Sequence, residues 1–247
     1  MLTANERERY DRQIVIRGIG EDGQERLKRA RVFIAGAGGL GSPVSLYLAA
    51  AGVGVMRVVD HERVELSNLN RQVLHWDEDI GKTKAASATE KLKRLNREVK
   101  IEAIEEMITE ANVSQLVADS DLIVDAMDNL PTRYLLNKAA LDKDIPFFHG
   151  AVYGFEGRAM TIIPGKTACL RCVYHGVIPE ETFPVIGVTP AVIGCIQATE
   201  VIKYLVGVGE LLTNKLLTYD GLSVQFTAFR VKKDPDCEHC GHLMRKG

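Results

Sequence analysis

The sequence predicts an α/β fold, built on a Rossmann-like, doubly wound and mostly parallel sheet with a C-terminal antiparallel extension. Two observations predict this architecture. Apolar strand-like runs alternate with helical patterns over residues 31–150, as in sheets whose parallel strands are joined by crossover helices. Residues 215–220 and 223–229 are further strand-like runs separated by a short turn at Gly221, which predicts an antiparallel hairpin at the end of the sheet.

Composition limits the classes of function that the chain can serve. It has 247 residues, 46% of them hydrophobic, and a formal net charge of -2, so it can form a large core and lacks the basic surface typical of nucleic-acid binding. The polar N-terminus, MLTANERERYDRQ, has the pattern of neither a signal peptide nor a transit peptide. The longest apolar stretch, residues 190–209, is interrupted by Gln197, Glu200 and Lys203, so we expect no membrane-spanning segment and a cytoplasmic protein.

No linker-like or repetitive segment divides the chain. We therefore expect one domain over residues 1–247, made of an N-terminal helical arm (1–30), a Rossmann-like part (31–150) and a C-terminal part (151–247). The arm contains four arginines, Arg7, Arg9, Arg12 and Arg17. A solvated charged surface is the simplest interpretation of such a run.

A glycine-rich turn follows the first predicted strand in the segment RVFIAGAGGLG. Gly36, Gly38 and Gly41 have the spacing G-x-G-x-x-G, Gly39 doubles the second glycine, and a helical pattern follows to residue 51. A strand, a glycine turn and a helix N-terminus in this order form a phosphate-binding site, because the turn lets a phosphate approach the backbone and the helix end attracts its charge.

The second predicted strand, residues 55–59, ends in Asp60. A carboxylate about 20 residues beyond such glycines accepts hydrogen bonds from ribose hydroxyls. A tight structural turn is the other explanation of the glycines. The double glycine and the acidic residue at the end of the strand favour a nucleotide site.

The remaining elements continue the alternation. We predict a polar segment with Asn68 and Arg71, a helix over 84–96, a strand over 99–104, a helix over 110–118, a strand over 122–124, a helix over 131–141 and a strand over 145–148. Asp128 lies just beyond the strand over 122–124, the fourth predicted strand of the chain, at the carboxyl edge where ligands of open α/β sheets bind. Beyond residue 150 we predict a strand over 158–163, a loop over 173–189 and an apolar helix over 190–206.

Two C-x-x-C pairs, Cys169 with Cys172 and Cys237 with Cys240, predict a metal site. Four thiolates suit a tetrahedral zinc ion, and the long gap between the pairs makes a structural zinc knuckle that ties the C-terminus to the middle of the chain. His239 or His242 could replace one thiolate. A redox dithiol is the alternative, but neither pair begins a helix after a strand, as redox C-x-x-C motifs do.

Two kinds of nucleotide chemistry remain open. An NAD-dependent oxidoreductase needs an acid or base placed for hydride transfer, and no residue beyond 150 clearly offers one. Nucleoside triphosphate chemistry needs cations for the phosphates and a carboxylate for Mg²⁺, which Arg71, Lys84 and Asp128 could supply without a P-loop. Each of these three residues also has a structural explanation. Arg71 could be a surface arginine, Lys84 an exposed lysine in the first turn of a helix, and Asp128 an N-cap before Pro131.

Together these motifs resemble the ThiF/MoeB/HesA adenylyltransferases, the bacterial and archaeal relatives of ubiquitin-activating enzymes, and are closest in pattern to the MoeB type. The matching segments are, in order, RYDRQI, GAGGLGS, Asp60, LSNLNRQ, GKTK, DAMDN, the two C-x-x-C pairs and IGCIQATEVIKYL. They extend from Arg9 to Cys240, so the resemblance covers nearly the whole chain.

The resemblance implies an enzyme that uses ATP and Mg²⁺ to activate the C-terminal Gly-Gly tail of a small β-grasp sulfur-carrier protein, MoaD- or ThiS-like, in molybdopterin or thiamine biosynthesis. The tail carboxylate would attack the α-phosphate and release pyrophosphate. The acyl-adenylate would then await sulfur from a donor such as a sulfurtransferase or cysteine desulfurase. Residues 31–150 would bind the nucleotide, and residues 151–247 would bind the carrier and zinc.

The resemblance also implies roles for single residues. The turn glycines Gly36, Gly38, Gly39 and Gly41 would line the phosphates, Asp60 would hold the ribose, Asn68, Arg71 and Lys84 would contact the phosphates, and Asp128 would hold Mg²⁺ and organise the attack. Arg12 would enter the ATP site of the other subunit of a homodimer, and Cys169, Cys172, Cys237 and Cys240 would bind structural zinc.

One feature departs from the family pattern. Many members carry a cysteine in the loop after the first knuckle for a thioester or acyl disulfide, whereas residues 174–189 contain none. The fifth cysteine, Cys195, falls in the apolar helix, where we expect a small core residue. We therefore expect no covalent intermediate, and the carboxylate of a small molecule or a peptide remains an alternative substrate.

Overall fold

A computed structural model describes residues 1–174 and 184–244 of the chain. Its strands are β1 (Arg31–Ala35), β2 (Val55–Val59), β3 (Lys100–Ile104), β4 (Leu122–Asp125), β5 (Phe147–Tyr153), β6 (Glu156–Ile162), β7 (Lys215–Asp220) and β8 (Gln225–Arg230). Its α-helices are α1 (Ala4–Arg9), α2 (Asp11–Ile14), α3 (Gly20–Arg29), α4 (Gly41–Ala51), α5 (Lys84–Leu95), α6 (Val113–Val117), α7 (Leu130–Lys143), α8 (Leu170–Val173) and α9 (Val188–Val206).

The eight strands form one sheet in the order β3-β2-β1-β4-β5-β6-β7-β8. Strands β1 to β5 run parallel, and β6, β7 and β8 continue the sheet with antiparallel pairing. This confirms the predicted parallel sheet and its antiparallel extension. The order in which strands are added to the sheet reverses direction between β1 and β4. Open α/β sheets bind their ligands in the crevice beyond the carboxyl ends of the strands at such a point.

Helices cover both faces of the parallel strands, as a doubly wound sheet requires. On one face, α3, α4, α5 and α9 pack apolar side chains against β1 and β2, with Leu48 and Val201 fully buried among them. On the other face, α6 and α7 pack around Phe33 and Phe147 together with the four clustered cysteines. The glycine turn therefore emerges from a core that is buried on both faces.

Helix α9 fits against the sheet through two of the polar residues that interrupt its apolar sequence. Gln197 donates to the carbonyls of Asp125 and Phe148, at 2.7 and 2.9 Å. Glu200 accepts from the Thr161 hydroxyl at 2.7 Å and from the Leu212 amide at 2.6 Å. These hydrogen bonds satisfy the polar side chains of α9 inside the protein. Among the described residues, no helix is long and apolar enough to cross a membrane.

Most predicted elements are confirmed, with shifts of a few residues at their ends. Helix α6 begins at Val113, three residues later than predicted, because the Asn112 side chain closes a turn by accepting from the Thr109 amide at 2.8 Å. Helix α9 begins at Val188, two residues earlier than predicted. Of the predicted loop over 173–189, residues 175–183 lie outside the described part of the chain.

Candidate functional site

The glycine turn between β1 and α4 has a backbone that two of its glycines make possible. Gly36 has φ +99, and a Cβ there would lie 2.8 Å from the carbonyl oxygen of Ala126. A Cβ on Gly41 would lie 2.0 Å from the carbonyl oxygen of Gly36, so this glycine lets the first turn of α4 pack on the strand. Gly38 and Gly39 have more room, since a Cβ would meet Gln72 at 3.5 Å or Pro190 at 3.3 Å.

The turn also leaves backbone donors available at the helix start. Within the described residues, the amides of Gly38, Gly39 and Leu40 donate to no acceptor. They precede α4, an 11-residue helix that ends at Gly52. Unpartnered amides and the positive end of a helix dipole make a cradle for an anion such as a phosphate.

Asp60 lies beside this cradle and holds part of the turn. One carboxylate oxygen accepts from the Ala37 amide at 2.8 Å, and the other accepts from the Glu62 amide at 2.9 Å. Each carboxylate oxygen can accept a second hydrogen bond, so contact with a ribose stays a prediction. The structure adds a role that sequence analysis did not give Asp60, which is to orient the Ala37 peptide.

The polar segment after β2 carries Asn68 and Arg71 towards the same turn. Asn68 is buried, and its side-chain oxygen accepts from the Glu65 amide at 3.1 Å. The Arg71 guanidinium donates to the Ser67 carbonyl at 2.9 Å, and its Cγ lies 3.6 Å from the place of a Cβ on Gly39. The Arg71 side chain therefore borders the cradle, and contact of its guanidinium with a phosphate stays a prediction.

Lys84 occupies the first position of α5 and is 3% exposed. Its ammonium forms an ion pair with Glu62, a carboxylate whose side chain is 54% exposed. The interpretation of Lys84 as an ordinary exposed lysine is therefore wrong. Burial of a charged lysine costs free energy unless the charge is paired. Here the Glu62 carboxylate of the same chain pairs with it.

The turn after β4 presents Asp128 on the same edge of the sheet. Asp128 is exposed, and Asn129 next to it caps α7 by accepting from the Thr132 amide at 2.9 Å. The N-cap alternative for Asp128 is therefore wrong, because Asn129 takes that role. The Asp128 carboxylate remains available to a ligand, and carboxylate oxygens suit Mg²⁺.

Arg12 lies apart from these groups on the N-terminal arm. Its side chain is 96% exposed, and among the described residues its ion-pair partner is Asp11 at 4.0 Å. The structure thus brings together Gly36, Gly38, Gly39, Gly41, Asp60, Asn68, Arg71, Lys84 and Asp128 at the carboxyl edge of the sheet. It leaves Arg12 projecting into solvent.

The four cysteines meet in a second, buried cluster. The sulfurs of Cys169 and Cys172 lie 3.9 Å apart, those of Cys169 and Cys237 3.6 Å, and those of Cys172 and Cys240 3.5 Å. All four lie within 4.8 Å of one another. Tetrahedral zinc with four thiolates requires sulfurs about 3.8 Å apart, so this donor set fits the ion. The predicted convergence of the two pairs is confirmed.

Neighbouring groups fix the positions of the knuckles. The contact with Cys240 lowers the pKa of the Cys169 thiol and raises the pKa of the Cys240 thiol. Asn137 on α7 accepts from the Leu170 amide at 2.9 Å and bonds the His239 ring at 2.9 Å. Because His239 is engaged by Asn137 and all four thiols converge, substitution of a thiolate by His239 is disfavoured.

Cys195 is not the core residue that we expected. It is half-buried and lines a shallow groove of about 400 Å³ with Gln13, Tyr47, Ala51 and Ile202, among others. The apolar period of α9 suggested burial, but at Cys195 the helix faces this groove instead. The groove borders the last turns of α4, whereas the glycine turn precedes its first turn.

Comparison with known sequences identifies similar proteins along almost the entire chain. Residues 10–239 match the ThiF family. The chain is 46% identical over 246 residues to the SAMP-activating enzyme E1 of Haloferax volcanii, covering 97% of this chain and 91% of the relative. It is 44% identical over 250 residues to the sulfur carrier protein adenylyltransferase of Thermus thermophilus, covering 97% and 92%.

Longer relatives and solved structures match as well. The chain is 40% identical to the adenylyltransferase and sulfurtransferase MOCS3 of Mus musculus over 97% of its own length and 54% of that protein. The crystal structure of E. coli MccB with ATP superposes with a TM-score of 0.82 at 26% identity, covering 89% of this chain and 68% of that one. A structure of PaaA gives a TM-score of 0.82 at 26% identity, covering 93% and 84%.

Proposed function

This chain belongs to the ThiF family, and on that premise we propose that it adenylates the C-terminal glycine of a small β-grasp sulfur-carrier protein. The observation that carries the proposal is the grouping of an anion cradle with Arg71, Lys84 and Asp128 at one edge of the sheet. Two relatives that match over nearly their whole length are named for activating a SAMP or a sulfur carrier protein. We treat residues 1–247 as one adenylation domain.

In the proposed reaction, an oxygen of the carrier carboxylate attacks the α-phosphorus of ATP. The bond from that phosphorus to the bridging oxygen breaks, and pyrophosphate leaves with the electron pair. A carboxylate is a weak nucleophile towards an anionic phosphate, so catalysis consists mainly of alignment and charge neutralisation. The cradle amides bind phosphate oxygens, Arg71 and Lys84 neutralise their charge, and Asp60 accepts from the ribose.

Two metals belong to the proposal. Asp128 has an exposed carboxylate at the same edge of the sheet, with one oxygen accepting from the Asn129 side chain at 3.4 Å, and carboxylate oxygens suit the hard ion Mg²⁺. Bound there, Mg²⁺ would supply further charge neutralisation at the phosphates. The four-cysteine cluster would hold a structural zinc ion with no open position for chemistry.

A homodimer completes the proposed site. Arg12 points away from its own chain, and Val15 and Ile16 beside it are 68% and 51% exposed. Exposed apolar side chains beside an arginine that is almost fully exposed favour coverage by a second subunit. We propose that Arg12 reaches the phosphates bound by that subunit.

No covalent carrier intermediate is proposed. Four of the five cysteines form the metal cluster, and Cys195 lies beside Ala51 at the far end of α4 from the glycine turn. The adenylate would be the end product of this chain, and a sulfurtransferase or cysteine desulfurase would supply sulfur in a later step. The pathway would be molybdopterin or thiamine biosynthesis, according to the carrier.

Trapping of the product tests this proposal. Purified protein, ATP, Mg²⁺ and a MoaD-like or ThiS-like carrier should yield carrier whose mass has increased by one AMP. Asp128→Ala should abolish the product while zinc content and thermal stability stay unchanged, because Asp128 is exposed. Activation of small-molecule or peptide carboxylates with neither carrier accepted would favour the alternative substrate class, and tighter binding of NADH than of ATP would contradict adenylation.

A further inference from the structure

His75 is a buried imidazole that the reaction described above does not use. Its side chain lies in the segment between β2 and α5 and is 3% exposed. Nε2 lies 2.9 Å from the carbonyl oxygen of Ala37, in the middle of the glycine turn. Nδ1 lies 2.8 Å from the hydroxyl oxygen of Ser87 on α5, and Ser87 is fully buried.

The contacts fix the tautomer of the ring. Burial is the main cause that lowers the pKa of His75 below its ordinary value, and the charge of Lys84 acts in the same direction. A neutral imidazole carries one N–H and one acceptor nitrogen. Since the Ala37 carbonyl can only accept, a neutral ring carries its proton on Nε2, which leaves Nδ1 as the unprotonated nitrogen facing the Ser87 hydroxyl.

The Ala37 residue is thereby held on both sides. Asp60 accepts from its amide at 2.8 Å, and His75 donates to its carbonyl at 2.9 Å. The peptide between Ala37 and Gly38 contains that carbonyl, so its rotation would break the bond to His75. The same peptide carries the first of the cradle amides, so the imidazole fixes the direction in which that amide points.

We propose that His75 is a positioning residue for nucleotide binding, which keeps the glycine turn in the conformation that presents its amides to the phosphates. The inference rests on the proposed function, since it names what orients the same site. An apolar side chain of similar size could fill the space, but it would leave the Ala37 carbonyl and the Ser87 hydroxyl without their partner. The Nε2 donor is therefore what the position requires.

Two amide substitutions at position 75 distinguish the effect of the Nε2 hydrogen-bond donor from the effect of filling the space. The nitrogen of Gln in His75→Gln can reach the place of Nε2, whereas the shorter Asn in His75→Asn reaches only the place of Nδ1. ATP dissociation constants can be measured by fluorescence of Trp76, the one tryptophan of the chain and the neighbour of His75. We expect His75→Asn to weaken ATP binding roughly tenfold, as for loss of one orienting hydrogen bond, and His75→Gln to restore it to within about twofold of wild type.

Ser87→Ala is the matched control. It removes the partner of Nδ1 and keeps the Nε2 donor, so ATP affinity should stay near the wild-type value. In adenylation assays, His75→Asn should raise the KM for ATP more than it lowers kcat, because the cradle binds phosphates in the ground state and the transition state alike. A side chain that only stabilised the fold would not distinguish Asn from Gln in this way.

A measurement on the wild-type protein keeps the inference testable if His75→Asn fails to fold. Nitrogen-15 NMR of the imidazole should find the proton on Nε2. A proton on Nδ1, or equal ATP affinity for His75→Asn, His75→Gln and wild type, would overturn the positioning role. Failure of the wild-type protein to bind ATP would instead overturn the proposed function, and the two failures are distinguishable because the first leaves wild-type binding intact.

Discussion

The imidazole Nδ1 of His149 lies 2.6 Å from a carboxylate oxygen of Asp125, and both side chains are fully buried. The other oxygen of Asp125 accepts from the Met127 amide at 3.1 Å, and Arg133 lies 3.5 Å from the same carboxylate. The pair thus ties the end of β4 to β5 and holds the start of the turn that carries Asp128.

Substitution of Asp125 tests how much the buried Asp125–His149 pair contributes to the free energy of unfolding. Asp125→Asn should lower the free energy of unfolding by about 3–5 kcal/mol, because Arg133 and His149 lose a buried anionic partner. Urea unfolding measures the change. Asp142→Asn is a matched control, since Asp142 forms an exposed i,i+4 pair with Lys138, and its midpoint should barely move. An equally small change for Asp125→Asn would mean that the pair does not anchor the turn.

The cysteine cluster makes a prediction about metal content. Purified protein should contain one zinc ion per chain by elemental analysis, and Cys172→Ser or Cys240→Ser should lose it and unfold at lower temperature. Cys195→Ser should keep the metal, because Cys195 lies outside the cluster. Loss of zinc from Cys195→Ser, or its retention after substitution of a cluster cysteine, would contradict the assignment.

The burial of His75 predicts a component of the pH dependence of stability. The pKa of His75 is lowered from its ordinary value of 6.5 in the folded chain, by burial first and by Lys84, against the opposing effects of Ala37, Asp60 and Asp79. Between the folded pKa and 6.5 the unfolded chain binds more protons, so this component is present above 6.5 and is lost as the pH falls.

The measurement is a comparison of urea unfolding at a pH above 7 and a pH near 5.5. The wild-type protein should lose more stability than His75→Gln on going to the lower pH, since Gln has no titrating group. Carboxylates elsewhere titrate in both proteins and cancel in the comparison. An identical loss in the two proteins would show that His75 does not contribute.

The proposed action of Arg12 across a homodimer can be tested by complementation. Arg12→Ala and Asp128→Ala should each be inactive alone. After mixing and subunit exchange, half of the dimers should be mixed, each with one complete site, so about a quarter of the wild-type activity should return. Absence of recovery in dimers shown to be mixed would place Arg12 outside the partner's site.

The features that the sequence predicted well are those encoded by neighbouring residues. The glycine turn requires Gly36 and Gly41 at fixed spacing, and the strands β1, β2 and β4 are short apolar runs that end in acidic residues or glycine. The two C-x-x-C pairs predicted their own convergence because each pair can place two thiolates on one ion and a tetrahedral site needs four.

The features that sequence analysis missed depend on contacts between distant segments. His75 meets Ala37 across 38 positions, and His149 meets Asp125 across 24. The sequence around either histidine does not indicate its partner, and the one weak sign of burial is that His75 directly follows the apolar Val73 and Leu74. The groove position of Cys195 was missed for the same reason, since the apolar α9 packs on the sheet with only part of its circumference.

Pyrophosphate exchange into ATP tests the central claim most directly, because it reports reversible adenylation with no need for a sulfur donor. The purified protein, with Mg²⁺ and labelled pyrophosphate, should form labelled ATP only when a carrier ending in Gly-Gly is present. Removal of the last glycine from the carrier should stop the exchange. Exchange that is independent of any carrier, or absent with every Gly-Gly carrier while ATP and zinc are bound, would contradict the assignment of this chain as a carrier-protein adenylyltransferase.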